Sequence, residues 1–531
     1  MKTIAKPVGF VLLLLLSVQL TAQQRAAAAK NTFRSIHASL TSEAQFSQSA
    51  KPELAKKLIC PAQLGAGIET TLSRPQLRRS RWGILIQTSV GFQTLYSRDA
   101  QQYFIPASNA KLLTTAAALH QLGSQFRVRT SVYGNGDGYL RVVGRGDPSL
   151  TDTQLRELAV QLSRQGIRQV SQLIAEDNYF RGSAVNPGWE WGDVQADYGA
   201  SVNSLIVNQN SVMLTLLPQA PGQPVRAVWA DRTEATRWRI ENDAVTARLD
   251  QPGLINVSRV LGAPVLQITG QLGIDSLGEP VALAVLDPAW NFLQHLGGAL
   301  VAEGVNVSQA LVAGRGGYGN ADGRRWTQIA GLSGVGLGSS AVRELAAVES
   351  PPLSQLLVET NQNSNNLYAE ALLRELGAKV GNIARMTDST AEVGLRVERA
   401  ILTALGVDPS GYVLADGSGL SRHNLVSPEA IAQTLRAMAH SPDAAVYRAS
   451  LSVAGVSGTL QNRFRHTPVQ GILYAKTGTL SGIAAMSGYL DPPGYEPLVF
   501  SIIVNQSDQS VAMLRQAIDE IVLLLTQLHH C

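Results

Sequence analysis

The stretch Ile105-Pro-Ala-Ser-Asn-Ala-Lys-Leu-Leu-Thr-Thr-Ala-Ala-Ala-Leu-His120 decides how the rest of the chain is read. Pro106 bars a helix before it, Ser108 suits an N-cap or first-turn position, and the alanine-rich apolar run ends at Gly123. The pattern predicts a helix that starts at the serine. A spacing of three residues puts the Ser108 hydroxyl and the Lys111 amine on one face. There the amine can take the hydroxyl proton, while the positive helix N-terminus favours the alkoxide that results. Ser-x-x-Lys by itself is a common chance pattern, but lysine usage adds weight to it. Of nine lysines, six lie at or before Lys57, so the body keeps only Lys111, Lys379 and Lys476 and carries its other positive charge as arginine. A lysine held away from water or near other cations becomes a neutral base, which an arginine cannot do.

Upstream, Lys2 and Lys6 precede an apolar run over residues 8–20 that includes five consecutive leucines. Residues 1–22 read as a secretory signal, too short to span a bilayer comfortably, with Thr21-Ala22 as its end, and imply export. No cysteine follows closely, which argues against a lipid-anchored lipoprotein. Residues 23–59 read as a linker or tail, rich in Gln, Ala, Ser and Lys. Residues 1–57 hold eight Lys/Arg and two Asp/Glu, a balance of +6 against a chain total of +4, so everything after them carries −2. The basic balance therefore belongs to the leader and tail. It argues against a nucleic-acid-binding body and leaves open either peripheral contact with an anionic membrane or a solvated tail.

At 531 residues, 45% hydrophobic and 16% charged, the chain can bury a large core in two or three domains. Cys60 and Cys531 are its only cysteines; they can pair in an exported protein or remain free thiols. Two cysteines cannot make a zinc site alone, no His-Glu-x-x-His occurs, and the eight histidines are scattered, so neither a metal nor a cofactor is expected.

Residues 82–88 and 93–97 read as strands leading into the Ser108 helix. Beyond Gly123 come strand-like runs at 128–133 and 139–143, a helical run at 153–165, and mostly short strands to about residue 338, with one clear helix over 289–303. Gly314-Arg-Gly-Gly-Tyr-Gly319 matches a dinucleotide fingerprint, but Asn320-Ala-Asp-Gly-Arg-Arg325 cannot open the apolar helix it requires, so it reads as a surface loop. Near residue 360 the catalytic patterns resume, which points to a β-rich block inserted into one domain. Ser364-Asn365-Asn366 precedes a helix over 367–376, where a plain N-terminal cap competes with a role in proton relay. Leu473-Tyr-Ala-Lys-Thr-Gly-Thr-Leu-Ser-Gly482 ends a strand. Gly478 would let that strand approach a ligand, and Lys476 with the threonine hydroxyls would hold a carboxylate. Residues 484–490 and 498–505 follow as antiparallel partners, and a helix over 507–528 would pack on that sheet.

Ser-x-x-Lys, Ser-x-Asn and Lys-Thr-Gly in that order are the set carried by penicillin-binding proteins and serine β-lactamases, which this chain resembles. The first two motifs lie 256 residues apart, and that long insert resembles the class C low-molecular-mass penicillin-binding proteins, the D-alanyl-D-alanine carboxypeptidase/endopeptidases of the DacB type. Pro106-Ala-Ser-Asn-Ala-Lys-Leu-Leu-Thr114, Gly144-Arg-Gly-Asp-Pro-Ser-Leu150, Pro187-Gly-Trp-Glu-Trp-Gly-Asp193, Asp416-Gly-Ser-Gly-Leu-Ser-Arg422 and Ser457-Gly-Thr-Leu460 carry the likeness from about residue 60 to the end.

The resemblance implies an α/β (α+β) transpeptidase/β-lactamase-like domain built from residues 60–126 and 346–531, interrupted by β-rich lobes over 127–345. It implies acyl transfer in the cell envelope or periplasm on peptidoglycan stem peptides, with β-lactams as covalent inhibitors. Ser108 would be the nucleophile, Lys111 the base and Ser364 the relay, with Asn366 holding Lys111 and the substrate backbone. Lys476, Thr477, Gly478 and Thr479 would line the carboxylate strand, and the N–H groups of Ser108 and Thr479 would form the oxyanion hole. Asp193 and Arg422 would read the amine and carboxylate of a diaminopimelate-like side chain, an ordinary ion pair or loop residue being the competing reading for each. Asn365 stands where many relatives carry Asp, at a position not expected to do chemistry. A β-lactamase would need a dedicated deacylation base, which no feature of the insert identifies. A catalytically silent wall-binding protein would tolerate loss of motifs that are here intact, and the absence of a Gly-x-Ser-x-Gly elbow argues against a Ser-His-Asp hydrolase.

Overall fold

Two strands near the middle of a six-stranded sheet, Ile483–Leu490 and Leu498–Asn505, are buried along their whole length. Such continuous apolar runs need cover on both faces, and they have it. On one face lie helices Pro61–Leu72 and Val511–Leu525, whose Leu64, Ile68, Ile518 and Ile521 join Ile84, Met486 and Phe500 in one core. The other face receives Lys111–Leu122, Leu353–Gln362, Asn366–Lys379 and Pro428–Ala439 through a second core that includes Leu112, Leu357, Leu372, Ile431 and Ile503. The sheet has six strands in the order Ser452–Val453, Leu473–Leu480, Ile483–Leu490, Leu498–Asn505, Arg81–Thr88, Thr94–Arg98. Every adjacent pair is antiparallel. The strand from the start of the body thus pairs with one from its end, Arg81 opposite Asn505 and Thr88 opposite Leu498.

This computed structural model describes residues 58–134, 138–313, 342–380 and 388–531, which belong to one compact unit. The secretory-signal reading, most of the basic tail with its membrane contact, and the glycine motif at 314–319 fall outside the described residues. Among the described residues no helix is long and apolar enough to cross a membrane.

The long middle segment leaves and rejoins the body that holds the six-stranded sheet at one point. Strand Arg129–Gly134 pairs antiparallel with Arg343–Glu349, and at the junction the Val128 amide donates to Ser350 Oγ at 2.9 Å while the Ser350 amide donates to the Val128 carbonyl at 2.8 Å. Joining both ends of the excursion lets a large block sit within the sequence of a domain without disturbing its sheet. Those two strands belong to a five-stranded sheet with Tyr139–Val143, Gln172–Glu176 and Ala310–Ala313, covered by helices Asp152–Arg164 and Pro288–Ala302. A second body of short strands over 211–284 shares its own core, with Leu214, Leu216, Trp238, Leu266 and Ile268 at its centre. The fold is mixed α/β with antiparallel sheets and helices.

Cys60 and Cys531 form a disulfide, with Cα atoms 5.8 Å apart. The segments carrying them are also joined by backbone: Ile59 N donates to the Gln527 carbonyl at 2.9 Å and His529 N to the Ile59 carbonyl at 3.2 Å.

Candidate active site

Ser108 does not begin an α-helix as the sequence pattern predicts. It lies in a 3₁₀ turn, Ala107–Ala110, and the α-helix starts at Lys111. Ala107 adopts φ +47°, a left-handed conformation that residues with a side chain rarely hold, so the surroundings must enforce it. They do so from two sides. The Ile105 amide donates to Asn505 Oδ1 at 2.7 Å, Asn505 Nδ2 returns a bond to the Ile105 carbonyl at 3.0 Å, and Asn109 Nδ2 donates to Ser487 Oγ at 2.7 Å. From above, Gly419 rests on the Ala107 carbonyl so closely that a β-carbon at residue 419 would lie 1.9 Å from its oxygen.

Lys111 is fully buried, and its amine has three neighbours: Ser108 Oγ at 3.0 Å, Asn366 Oδ1 at 2.6 Å and the Ser418 carbonyl at 2.6 Å. Burial lowers its pKa to about 7, against the pull of Asp416 and Glu370, which favour the charged form. A neutral amine has two N–H groups and one lone pair. The two closer acceptors are obligate acceptors and take both N–H groups. The lone pair is left to the Ser108 hydroxyl, which is the arrangement a general base requires.

Ser364 lies between helices Leu353–Gln362 and Asn366–Lys379, at φ +59°. The helix cap is its neighbour Asn365, whose side chain accepts from the Tyr368 amide at 3.3 Å, so the capping reading belongs to Asn365 and Ser364 is free of it. The Ser364 hydroxyl instead accepts from Lys476 Nζ at 2.9 Å. Lys476 is fully buried, and burial together with the nearby Lys111 charge drives its pKa well below the usual lysine range. Asn366 joins Lys111 to the inserted segment, because its Nδ2 donates to the Tyr198 carbonyl at 2.8 Å.

The strand Leu473–Leu480 carries Lys476, Thr477, Gly478 and Thr479 past Ser108. Thr477 Oγ1 donates to Thr459 Oγ1 at 2.8 Å, which brings in the Ser457-Gly-Thr-Leu460 turn. Arg515, on the last helix, donates to Thr479 Oγ1 at 3.1 Å. The sequence reading passed over Arg515 because it lies in a helix recognised only by its apolar face; an arginine one turn from that face was the available signal.

Asp193 and Arg422 lie near enough for the guanidinium to act on the carboxylate, but each takes other hydrogen-bond partners. Asp193 Oδ1 accepts from the Tyr198 hydroxyl at 3.3 Å, while Arg422 Nε pairs with Glu190 Oε1 at 2.6 Å and its Nη1 donates to the Ser481 carbonyl at 3.3 Å. Glu190, a neighbour of Asp193 in the Pro187–Asp193 run, thus occupies the guanidinium. The preceding Trp189 donates its Nε1 to the buried Asp416 at 2.9 Å and fixes the inserted segment against the glycine loop.

The arrangement offers a hydroxyl, an amine able to take its proton, a second hydroxyl held by a second buried amine, and a strand edge with threonine hydroxyls beside an arginine. That set suits attack on a carbonyl next to a carboxylate, with protonation of the departing amine.

A profile of the D-Ala-D-Ala carboxypeptidase 3 (S13) family matches residues 64–322 and 323–528. The D-alanyl-D-alanine carboxypeptidase of Actinomadura sp. (strain R39) is 32% identical over 465 residues, covering 83% of this chain and 81% of that protein. Penicillin-sensitive carboxypeptidase A of Dictyostelium discoideum is 29% identical over 481 residues, covering 84% of this chain and 87% of its own. The crystal structure of penicillin binding protein 4 (dacB) from Haemophilus influenzae superposes with a TM-score of 0.72 at 22% identity, over 86% of this chain and 99% of that one, a likeness of fold.

Proposed function

Since the chain belongs to the D-Ala-D-Ala carboxypeptidase 3 (S13) family, we propose that it is an exported serine-type D-alanyl-D-alanine carboxypeptidase and/or DD-endopeptidase of the periplasm or cell envelope. Its substrates are peptidoglycan stem peptides, and β-lactams acylate it. The observation that carries the reading is the hydrogen-bond pattern of Lys111, which leaves one lone pair for Ser108.

Ser108 Oγ attacks the carbonyl of the penultimate D-alanine and Lys111 takes its proton. The N–H groups of Ser108 and Thr479 receive the oxyanion. Ser364, held by Lys476, passes its proton to the leaving amine and is reprotonated by the one that Lys111 took from Ser108, so the C–N bond breaks with a neutral amine, Lys111 is neutral again and an ester remains on Ser108. Water then repeats the sequence in reverse and restores the hydroxyl. Thr477 and Thr479 engage the terminal carboxylate with Arg515 behind them, Gly478 admits the substrate backbone, and Asn366 orients Lys111. Asp193 and Arg422 recognise the two ends of a diaminopimelate-like side chain. Residues 60–126 and 346–531 form the transpeptidase-like domain and 127–345 the inserted lobes. The six-stranded sheet, which draws strands from both flanking segments, supports that division, and the second boundary falls within the strand Arg343–Glu349.

The test is covalent. The intact mature protein incubated with benzylpenicillin should gain the mass of one acyl group, lost in Ser108→Ala, and the wild type should release D-alanine from a diaminopimelate-containing pentapeptide. An adduct that survives in Ser108→Ala would sink the assignment.

A further inference from the structure

Beneath Lys111 lie buried carboxylates that the acyl-transfer scheme does not use. Glu370, one turn into the helix Asn366–Lys379, is fully buried. Its Oε1 accepts from the Gly417 amide at 2.8 Å and the Ser418 amide at 3.0 Å, and its Oε2 accepts from Arg374 Nη1 at 2.7 Å. These partners are all donors. One of them is a guanidinium, so together they favour the anion, against burial and the nearby Asp416 charge, which raise the pKa of Glu370.

The two amides that Glu370 grips, those of Gly417 and Ser418, lie immediately before the Ser418 carbonyl that receives Lys111 at 2.6 Å, and the peptide of that carbonyl is completed by the Gly419 amide. Fixing both N–H groups on one oxygen fixes the orientation of that loop. Asp416 supports the same loop from the other side, its Oδ1 accepting from Gly419 N at 2.7 Å and its Oδ2 from Ser421 N at 2.6 Å. The loop cannot relax away, because Gly417 is closed in by Ala369 O and Thr114, and Gly419 by Ala107.

We propose that Glu370 is a positioning residue for acylation: together with Asp416 it holds the loop from which the Ser418 carbonyl meets the Lys111 amine, and its charge helps set the pH at which that amine is free to accept a proton. This rests on reading Ser108 as the nucleophile and Lys111 as its base. The charged groups facing Lys111 are Glu370 from the helix, Asp416 from the loop and Lys476 from the strand. A third carboxyl, Glu398, reaches this region through Thr114 Oγ1 at 3.1 Å; burial pushes its pKa up to about 8, so it is mostly neutral below that pH. Both Glu370 and Asp416 raise the Lys111 pKa against burial. Neutralising Glu370 while keeping its shape therefore lowers that pKa further.

The experiment is the pH profile of penicillin acylation from pH 5 to 9 for the wild type, Glu370→Gln and Glu398→Gln, with folding checked by circular dichroism. Glu370→Gln should move the acid limb down by about one pH unit, so that at pH 6 its rate relative to its own plateau rises about fivefold. Glu398→Gln should leave the limb in place. If Glu370→Gln does not fold, the double variant Glu370→Gln with Arg374→Met leaves no unpaired buried ion and carries the test with the same sign. An unmoved limb in the folded variant overturns the proposal while leaving the acylation reading intact. A wild-type protein that takes up no penicillin on Ser108 overturns both.

Discussion

Gly478 presses directly on the Ser108 turn: a β-carbon at residue 478 would stand 2.8 Å from the Pro106 carbonyl oxygen and 3.1 Å from the Ser108 amide nitrogen. The first distance is shorter than real Cβ contacts with backbone allow, so Gly478→Ala must displace either the strand or the turn. Both elements bear the groups that would receive the oxyanion. Penicillin acylation by Gly478→Ala should fall by about tenfold or more for a misplacement of this size, with the melting temperature little changed. Stopped-flow acylation rates beside a thermal melt decide it, and a wild-type rate would show that the contact is not felt by the chemistry.

The pH dependence of acylation follows from Lys111. Burial lowers its pKa to about 7, so the neutral base predominates above that pH and is lost as pH falls through it. The rate at pH 5 should be about a hundredfold below the alkaline plateau, one decade for each unit under the pKa. Lys111→Arg places a permanent cation against Ser108 and should abolish acylation at every pH tested. A flat profile between pH 5 and 9 would remove Lys111 from the role of base.

Arg422 is paired with Glu190, and a substrate carboxylate must displace that partner to reach the guanidinium. Glu190→Gln should lower KM for a diaminopimelate-containing peptide, whereas Arg422→Ala should raise it about tenfold, the scale of one charge-assisted hydrogen bond. Neither change should alter acylation by benzylpenicillin, which lacks that side chain. Equal losses on both compounds would place Arg422 among structural residues.

Cys60→Ser removes the disulfide that joins the first helix of the body to its last residue. The expected loss of stability is about 2–5 kcal/mol, read by denaturant unfolding under oxidising conditions. Acylation at 25 °C should persist, because the neighbouring backbone bonds of Ile59 remain. Unfolding at an unchanged midpoint would mean that those bonds suffice.

The meeting of Ser108 with Lys111 was legible because its signal is local: three residues of spacing, a proline before, and lysine scarcity around it. The strands over residues 484–490 and 498–505 were equally legible from their largely apolar runs. The helix start was misread, since Ser108 after a proline has the appearance of a cap, and only tertiary contacts from Gly419 and Asn505 reveal why the backbone takes a 3₁₀ turn there. Glu370 escaped notice for a related reason. With Arg374 four residues later it looks like a surface ion pair on a helix, and nothing local says that both side chains face inward. The sequence left open whether Cys60 and Cys531 pair, because a separation of 471 residues carries no distance information.

With residues 60 and 531 linked, the body is a closed covalent loop rather than a linear polymer. A protease that nicks it once, for instance beside the fully exposed Leu277, yields two pieces that stay attached through sulfur. The halves that together bear Ser108 and Lys476 would then remain tethered, and a clipped molecule would migrate as one band until a reductant is added. That geometry makes a single cut survivable.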